Sequence, residues 1–380
     1  MSTTALINAR VVAEDREIDS GFVVIDDKEI VSVGAGRPRM PADNQIDLSG
    51  KIIVPGFIDL QINGGGGVLF NDAPTLESVE LIAAAHRKYG VAGLCPTLIS
   101  DGLSTIERGI NAVEEAVARG VAGVIGLHVE GPFLNAEKRG IHPANKIRKF
   151  TADAMDILTS ARQIPVILTI APEFVEASQL KKLTESGVRV SAGHTNATYD
   201  ETYSALKAGV SSFTHLFNAM SPLHSRAPGV ICAALESNAW CGIIVDGEHV
   251  HPAMLRMAIR AKSDRRFILV SDAMPTVGSD MDHFFIGGER ISMVDGVLRS
   301  NDGTLAGAAL DMSMAVRNAI NMLGISLVEA VRFASLNPAA FLGLSHISGS
   351  IAPGKQADFA VLSTDLTPVE TWISGVRYVG

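Results

Sequence analysis

The chain has 380 residues, 47% of them hydrophobic and 19% charged, with a formal net charge of −9. That is material for a large core without a disorder signature, and the acidic balance argues against a nucleic-acid or anionic-membrane surface. The first twenty residues, MSTTALINARVVAEDREIDS, lack a basic region followed by an apolar one, so no signal peptide is expected. No apolar run reaches the roughly 18 residues of a membrane span. Cys95, Cys232 and Cys241 lie in apolar stretches without paired spacing, which reads as buried thiols in a reducing compartment. The expectation is a soluble cytoplasmic protein.

From the N-terminus to about residue 53, short runs such as ALINARVV, GFVVIDD, EIVSVGA and KIIV alternate apolar with polar positions, as half-exposed antiparallel strands do. The segment from about 346 behaves alike: GSIAPGK, ADFAVLS, TWISGVRYVG. Residues 1–53 plus 346–380 are therefore expected to form one small β-sandwich domain from both chain termini. The middle, 54–345, has another rhythm. Apolar runs at 57–62, 93–98, 123–130, 166–173, 189–195, 212–217, 241–247 and 267–273 alternate with helix-like stretches such as 76–90, 104–120 and 197–209. The last of these is expected to start after an Asn196 N-cap and stop at Gly209. Eight strands alternating with helices give an α/β fold, a (β/α)₈ TIM barrel. A doubly wound open sheet is the alternative, weakened by the strand count and by the lack of GxGxxG after the first strand. The glycine run 64–67 lacks GxxxxGK[ST] and reads as a flexible turn at the barrel mouth. Residues 274–304 break the alternation and read as a loop or hairpin insertion.

Barrels of this kind place their chemistry at the C-terminal ends of strands, and four of the runs end on a reactive group. GVIGLHVE ends at Glu130, VRVSAGH at His194, SSFTH at His215 and RFILVSD at Asp272. Two imidazoles and a carboxylate would give three protein ligands to a catalytic metal, with a position left open for water. A buried Glu130 without a partner would carry a large desolvation cost, so a cation is its natural companion. Asp272 would serve as base to that water and then as acid to the leaving group. His128, two residues before Glu130, faces the same side; it reads as filling a barrel layer or supporting the ligands from behind, with a role as an additional ligand as the alternative. Arg226 and His249 are candidate anion donors. No GxSxG elbow is present, and no cysteine has a base nearby in sequence, so nucleophilic catalysis is disfavoured.

IVPGFIDLQING (53–64) and SIAPGKQADFAVL (350–362) stand where the barrel meets the small domain, and they resemble the amidohydrolase superfamily. LHVEGPFLN (127–135), KRGIHPAN (138–145), SAGHTNAT (191–198), THLFNAM (214–220), RAPG (226–229), DGEHV (246–250), LVSDA (269–273) and GTLAGAAL (303–310) follow in order. Together they resemble the N-acetylglucosamine-6-phosphate deacetylase family within it, over essentially the full chain. The resemblance implies Glu130, His194 and His215 as metal ligands and Asp272 as acid/base. It implies substrate contacts from Ile141, His142, Asn218, Ala219, Arg226, His249, Leu305, Ala306 and Gly307, with Arg226 binding a phosphate across a homodimer. Many superfamily members carry His-x-His after the first strand for a second metal. Here Gln61 and Asn63 stand there, and amides are poor transition-metal ligands. One divalent ion per subunit is therefore expected, zinc first, with iron or another divalent ion as alternatives. The alternatives in function are a deacetylase for the galactosamine epimer, a cyclic-amide hydrolase, or a scaffold that has lost catalysis.

Overall fold

The computed structural model describes residues 3–379. Eight parallel strands run in sequence order around a barrel: Phe57–Ile62, Val91–Leu98, Leu127–Glu130, Val166–Ile170, Arg189–Ala192, Ser212–Phe213, Trp240–Ile243 and Phe267–Leu269. The first and last strands meet through a parallel bridge between Ile62 and Ala273, where the Asn63 N–H donates to the Ala273 carbonyl at 2.9 Å. This closes the ring. The reactive groups stand at the strand ends or just beyond them. Glu130 is the last residue of its strand, while His194, His215 and Asp272 follow Ala192, Phe213 and Leu269 by two or three positions.

Inside the barrel, beneath those groups, is a polar layer rather than an oily one. His128 Nδ1 faces the Leu60 carbonyl at 3.0 Å and must donate to it, so Nε2 accepts from Thr169 Oγ1 at 2.7 Å. That choice orders the next two bonds. Thr214 donates to Thr169 at 2.6 Å, and Ser191 donates to Thr214 at 2.7 Å. Burial holds the His128 imidazole down at about 4, against the pull of Glu130, so the ring stays neutral. His128 thus fills a layer.

A second sheet joins the two ends of the chain. Val376–Val379, Pro368–Ile373, Phe359–Leu362, Ile52–Pro55, Thr3–Val12, Glu17–Asp26 and Glu29–Ala35 lie side by side, with Asn44–Asp47 paired to Thr3–Val12. The antiparallel pairing of Phe359–Leu362 with Ile52–Pro55 is the seam between N- and C-terminal segments. Leu6, Val23, Ile53, Phe359 and Trp372 share one apolar cluster there.

Four local readings change. The 197–209 helix runs from Tyr199 to Lys207, and its N-cap is Thr198, whose reciprocal bonds with Glu201 form a capping box that Asn196 has no partner to make. The 274–304 segment holds a three-stranded antiparallel sheet, His283–Ile286, Glu289–Val294 and Val297–Ser300. The glycine run is packed rather than loose: Gly64–Gly65 pairs with Val68–Leu69, and a Cβ on Gly65 would lie 2.7 Å from His86 Nε2. Of the three free cysteines, Cys95 and Cys241 are buried and Cys232 is only partly so.

Candidate active site and metal centre

Glu130, His194 and His215 are all buried, and one ligand atom from each lies within 4.8 Å of the others. Glu130 Oε1 is 3.2 Å from His194 Nε2 and 2.9 Å from His215 Nε2, and the two nitrogens are 3.1 Å apart. The protons on these rings are constrained. The Lys138 carbonyl, 2.7 Å from His194 Nδ1, can only accept, so Nδ1 carries the hydrogen. In the neutral ring, Nε2 then points a lone pair at a carboxylate oxygen and a second imidazole. Such an arrangement is repulsive unless positive charge sits between the groups. With the rings protonated instead, their hydrogen bonds and charges outweigh the burial that works to raise Glu130 and hold its carboxyl well below its usual range. For His215, burial pulls the ring down and Glu130 more than reverses it, a net rise. This donor set fits a divalent cation with N/O ligands.

Asp272 faces the triad from the eighth strand. Gln61 Nε2 donates both to Glu130 Oε1 at 3.1 Å and to Asp272 Oδ1 at 3.2 Å, and Asn63 Nδ2 donates to Asp272 Oδ1 at 2.6 Å. The two amides therefore span the place where His-x-His would stand, tying the carboxylates together. Among the described residues, Asn63 Oδ1 is buried without a hydrogen-bond partner. Burial and the nearby Glu130 charge push Asp272 up to about 6, against His215, His249 and the Asn63 bond. A carboxylate titrating there is suited to taking and returning a proton near neutrality. Beneath it, Asp59 accepts from the hydroxyl and backbone N–H of Ser271, which fixes the residue next to Asp272.

His142 lies beside the triad, with Nε2 3.9 Å from Glu130 Oε2. The Ser100 N–H donates to His142 Nδ1 at 3.1 Å, so the ring proton sits on Nε2. Burial, more than any neighbour, takes the ring down to about 3 and keeps it neutral. His142 thus offers an N–H donor into the cavity. His194, His215 and Asp272 all have positive φ, at 49°, 31° and 52°, as do Phe217 and Ala219 at 80° and 52°. Such strain in non-glycine residues concentrates at functional sites.

Asn63, Glu130, His142, His194, His215 and Asp272 line one cavity of about 320 Å³. Of the residues implied by resemblance, Ile141, His142, Asn218, Ala219, His249, Leu305 and Gly307 reach its wall. Two do not. Ala306 is wholly buried in the apolar cluster that includes Ile286, Ile291 and Leu298 of the three-stranded sheet. Arg226 is exposed on the 221–228 loop, outside the lining residues of its own chain. Sequence reasoning missed Glu137, Lys138, Met274 and Thr304 on the wall. Lys138 and Thr304 fall inside the KRGIHPAN and GTLAGAAL motifs without being singled out there, while nothing local separates Glu137 and Met274 from ordinary loop residues. It also missed the donor role of Gln61 and Asn63, noting only that they fail as ligands.

The amidohydrolase family model matches residues 52–377. N-acetylgalactosamine-6-phosphate deacetylase of Shewanella sp. (strain ANA-3) is 43% identical over 86% of this chain and 83% of its own length. N-acetylglucosamine-6-phosphate deacetylase of Haemophilus influenzae is 33% identical over 98% of each chain. The crystal structure of N-acetylglucosamine-6-phosphate deacetylase from Pasteurella multocida superposes with a TM-score of 0.96 over 100% of both chains, at 33% identity.

Proposed function

The chain belongs to the amidohydrolase family, and from that premise we propose that it hydrolyses the acetamide of N-acetylglucosamine 6-phosphate to glucosamine 6-phosphate and acetate. The observation that carries this reading is the convergence of Glu130, His194 and His215 with Asp272 and the His142 N–H on one cavity. Glu130, His194 and His215 would hold a single divalent cation; zinc suits the set, as does iron or another divalent ion. When bound, such an ion lends Lewis acidity to an amide carbonyl and acidity to a water.

The chain's own residues do the rest. As the water oxygen adds to the acetyl carbon, Asp272 accepts its proton. His142 Nε2–H donates to the carbonyl oxygen while negative charge builds there. Asp272 then delivers the proton to the sugar nitrogen as the C–N bond breaks, so the leaving group departs as an amine and the acetyl group as acetic acid, whose remaining proton is lost to solvent or the amine to give acetate. Asn218, Ala219, His249, Leu305 and Gly307 border the sugar, and Arg226 reaches the phosphate from the second subunit of a homodimer. Supporting that dimer, Leu223 is 44% exposed on the Arg226 loop itself, and Tyr203 is 42% exposed on the Tyr199–Lys207 helix, which packs against the helix following that loop. The reading places the enzyme in the cytoplasm, in keeping with three unpaired cysteines.

Metal analysis combined with acetate release from phosphorylated and unphosphorylated N-acetyl sugars tests the proposal. One divalent ion per chain and a strong preference for the 6-phosphate are expected. In Asp272→Asn, kcat should fall by ~10²–10⁴ with metal content unchanged; turnover retained at the wild-type rate would sink the acid/base role. The Shewanella relative favours a second reading, the galactosamine epimer. Side-by-side turnover of the two epimers decides between them.

A further inference from the structure

Glu173 lies in the Pro172–Phe174 turn, beyond the Val166–Ile170 strand, and none of the chemistry above uses it. Its carboxylate receives three hydrogen bonds from two different loops. Asn135 Nδ2 and the Asn196 backbone N–H each donate to Oε1 at 2.9 Å, and Thr195 Oγ1 donates to Oε2 at 2.5 Å. The two loops are also stitched to each other. The Asn135 N–H donates to the His194 carbonyl at 2.9 Å, and Asn196 Nδ2 donates to Glu137 Oε2 at 3.0 Å. One loop carries His194. The other carries the Lys138 carbonyl that accepts the proton of His194 Nδ1.

We propose that Glu173 is a positioning residue for the metal ligand His194. Its carboxylate sets the distance between the His194 backbone and the Lys138 carbonyl, and so the direction in which the Nε2 lone pair points. His194 needs such help: at φ 49° it holds a left-handed conformation that a non-glycine residue keeps only when its surroundings fix it. The clamp extends to the substrate wall, because the Thr195 N–H donates to the Ala219 carbonyl at 3.0 Å. Outer contacts that orient a ligating imidazole typically change metal affinity by ~10–100-fold.

The inference rests on the metal-binding reading above, and the test separates the two. Full-length apo-protein is titrated with Zn²⁺ against a chelating competitor, and separately with Co²⁺ followed by visible absorption. The expected result is that Glu173→Ala binds zinc ~10–100-fold more weakly and shifts the cobalt bands, while its apo melting temperature stays close to wild type. Glu173→Gln keeps a carbonyl oxygen for Asn135 and Asn196 and offers an N–H to Thr195, so it should recover most of the affinity. Equal zinc affinity and identical cobalt spectra in wild type and Glu173→Ala would overturn the positioning role, and so would a Gln variant as weak as the Ala variant. Where Glu173→Ala does not fold, Glu173→Asp carries the comparison: weaker zinc binding supports the role, and unchanged binding overturns it. A wild-type protein that binds neither ion overturns the metal site itself, and this inference with it.

Discussion

Both hydrogen bonds to the Asp272 side chain land on Oδ1, from Asn63 and Gln61. Among the described residues Oδ2 accepts none, which leaves it as the oxygen for the proton being moved. The Asn63 amide bears on when Asp272 is ionised as well as on where it points. The Asn63 bond favours the charged form and opposes the burial that lifts the group to about 6. Asp272 works as a base only when ionised, so activity is lost as pH falls through its pKa. Removing the donor in Asn63→Ala should raise that pKa further and move the acid limb of kcat/KM to higher pH than in wild type. A pH–rate profile of the two proteins checks this, and a limb that does not move would mean Asn63 leaves the titration of Asp272 alone. At this scale the sequence was half legible. Glu130, His194, His215 and Asp272 announced themselves by standing at the ends of apolar runs. Gln61 and Asn63 could be seen only as missing ligands, because hydrogen bonding across some 210 residues of chain leaves no local pattern.

Elements were legible where burial imposes a rhythm and less so where one long-range contact decides. Phe57–Ile62 falls where its apolar run places it, while SFTHLF yields a strand of only two residues because the chain turns out at Thr214 to present His215. Lys262 shows the opposite limit. In RAKSDRR it reads as a solvated cation, yet it is 1% exposed. Its Nζ donates to the Ala234 carbonyl at 3.2 Å and the Ser237 carbonyl at 2.5 Å, at the C-terminal end of the Gly229–Glu236 helix. That helix follows directly on the loop that carries Arg226. Lys262→Met would keep the apolar stem but leave those carbonyls without their donor, at a cost of about 1–3 kcal/mol for each one that stays unpaired. Urea unfolding should register the loss as a lower midpoint with an unchanged slope. A variant as stable as wild type would show that water reaches the carbonyls instead.

For the molecule as a whole, the count of eight strands and the likeness of the two chain ends carried most of the architecture. Strand number and alternation follow from burial, and the pairing of Ile52–Pro55 with Phe359–Leu362 follows from two edges that each need a partner. Lys138 stands on the cavity wall, whereas Arg226, the phosphate donor proposed above, stands on an exposed loop away from its own cavity. If a dimer completes the site, the defects of two inactive variants should complement each other. Arg226→Ala would leave Asp272 in its own site but deprive the partner's site of the phosphate donor; Asp272→Asn would do the reverse. In a mixed dimer, the site that keeps Asp272 faces a partner that keeps Arg226 and is whole, while the other site lacks both. Equal mixing with free subunit exchange should therefore restore about one quarter of wild-type sites, since half of all dimers are mixed and each has one intact site. Acetate release at low substrate, compared before and after exchange, reads this directly. Activity that stays at the sum of the two separate variants would place Arg226 outside the partner's site and leave the phosphate to groups of the same chain.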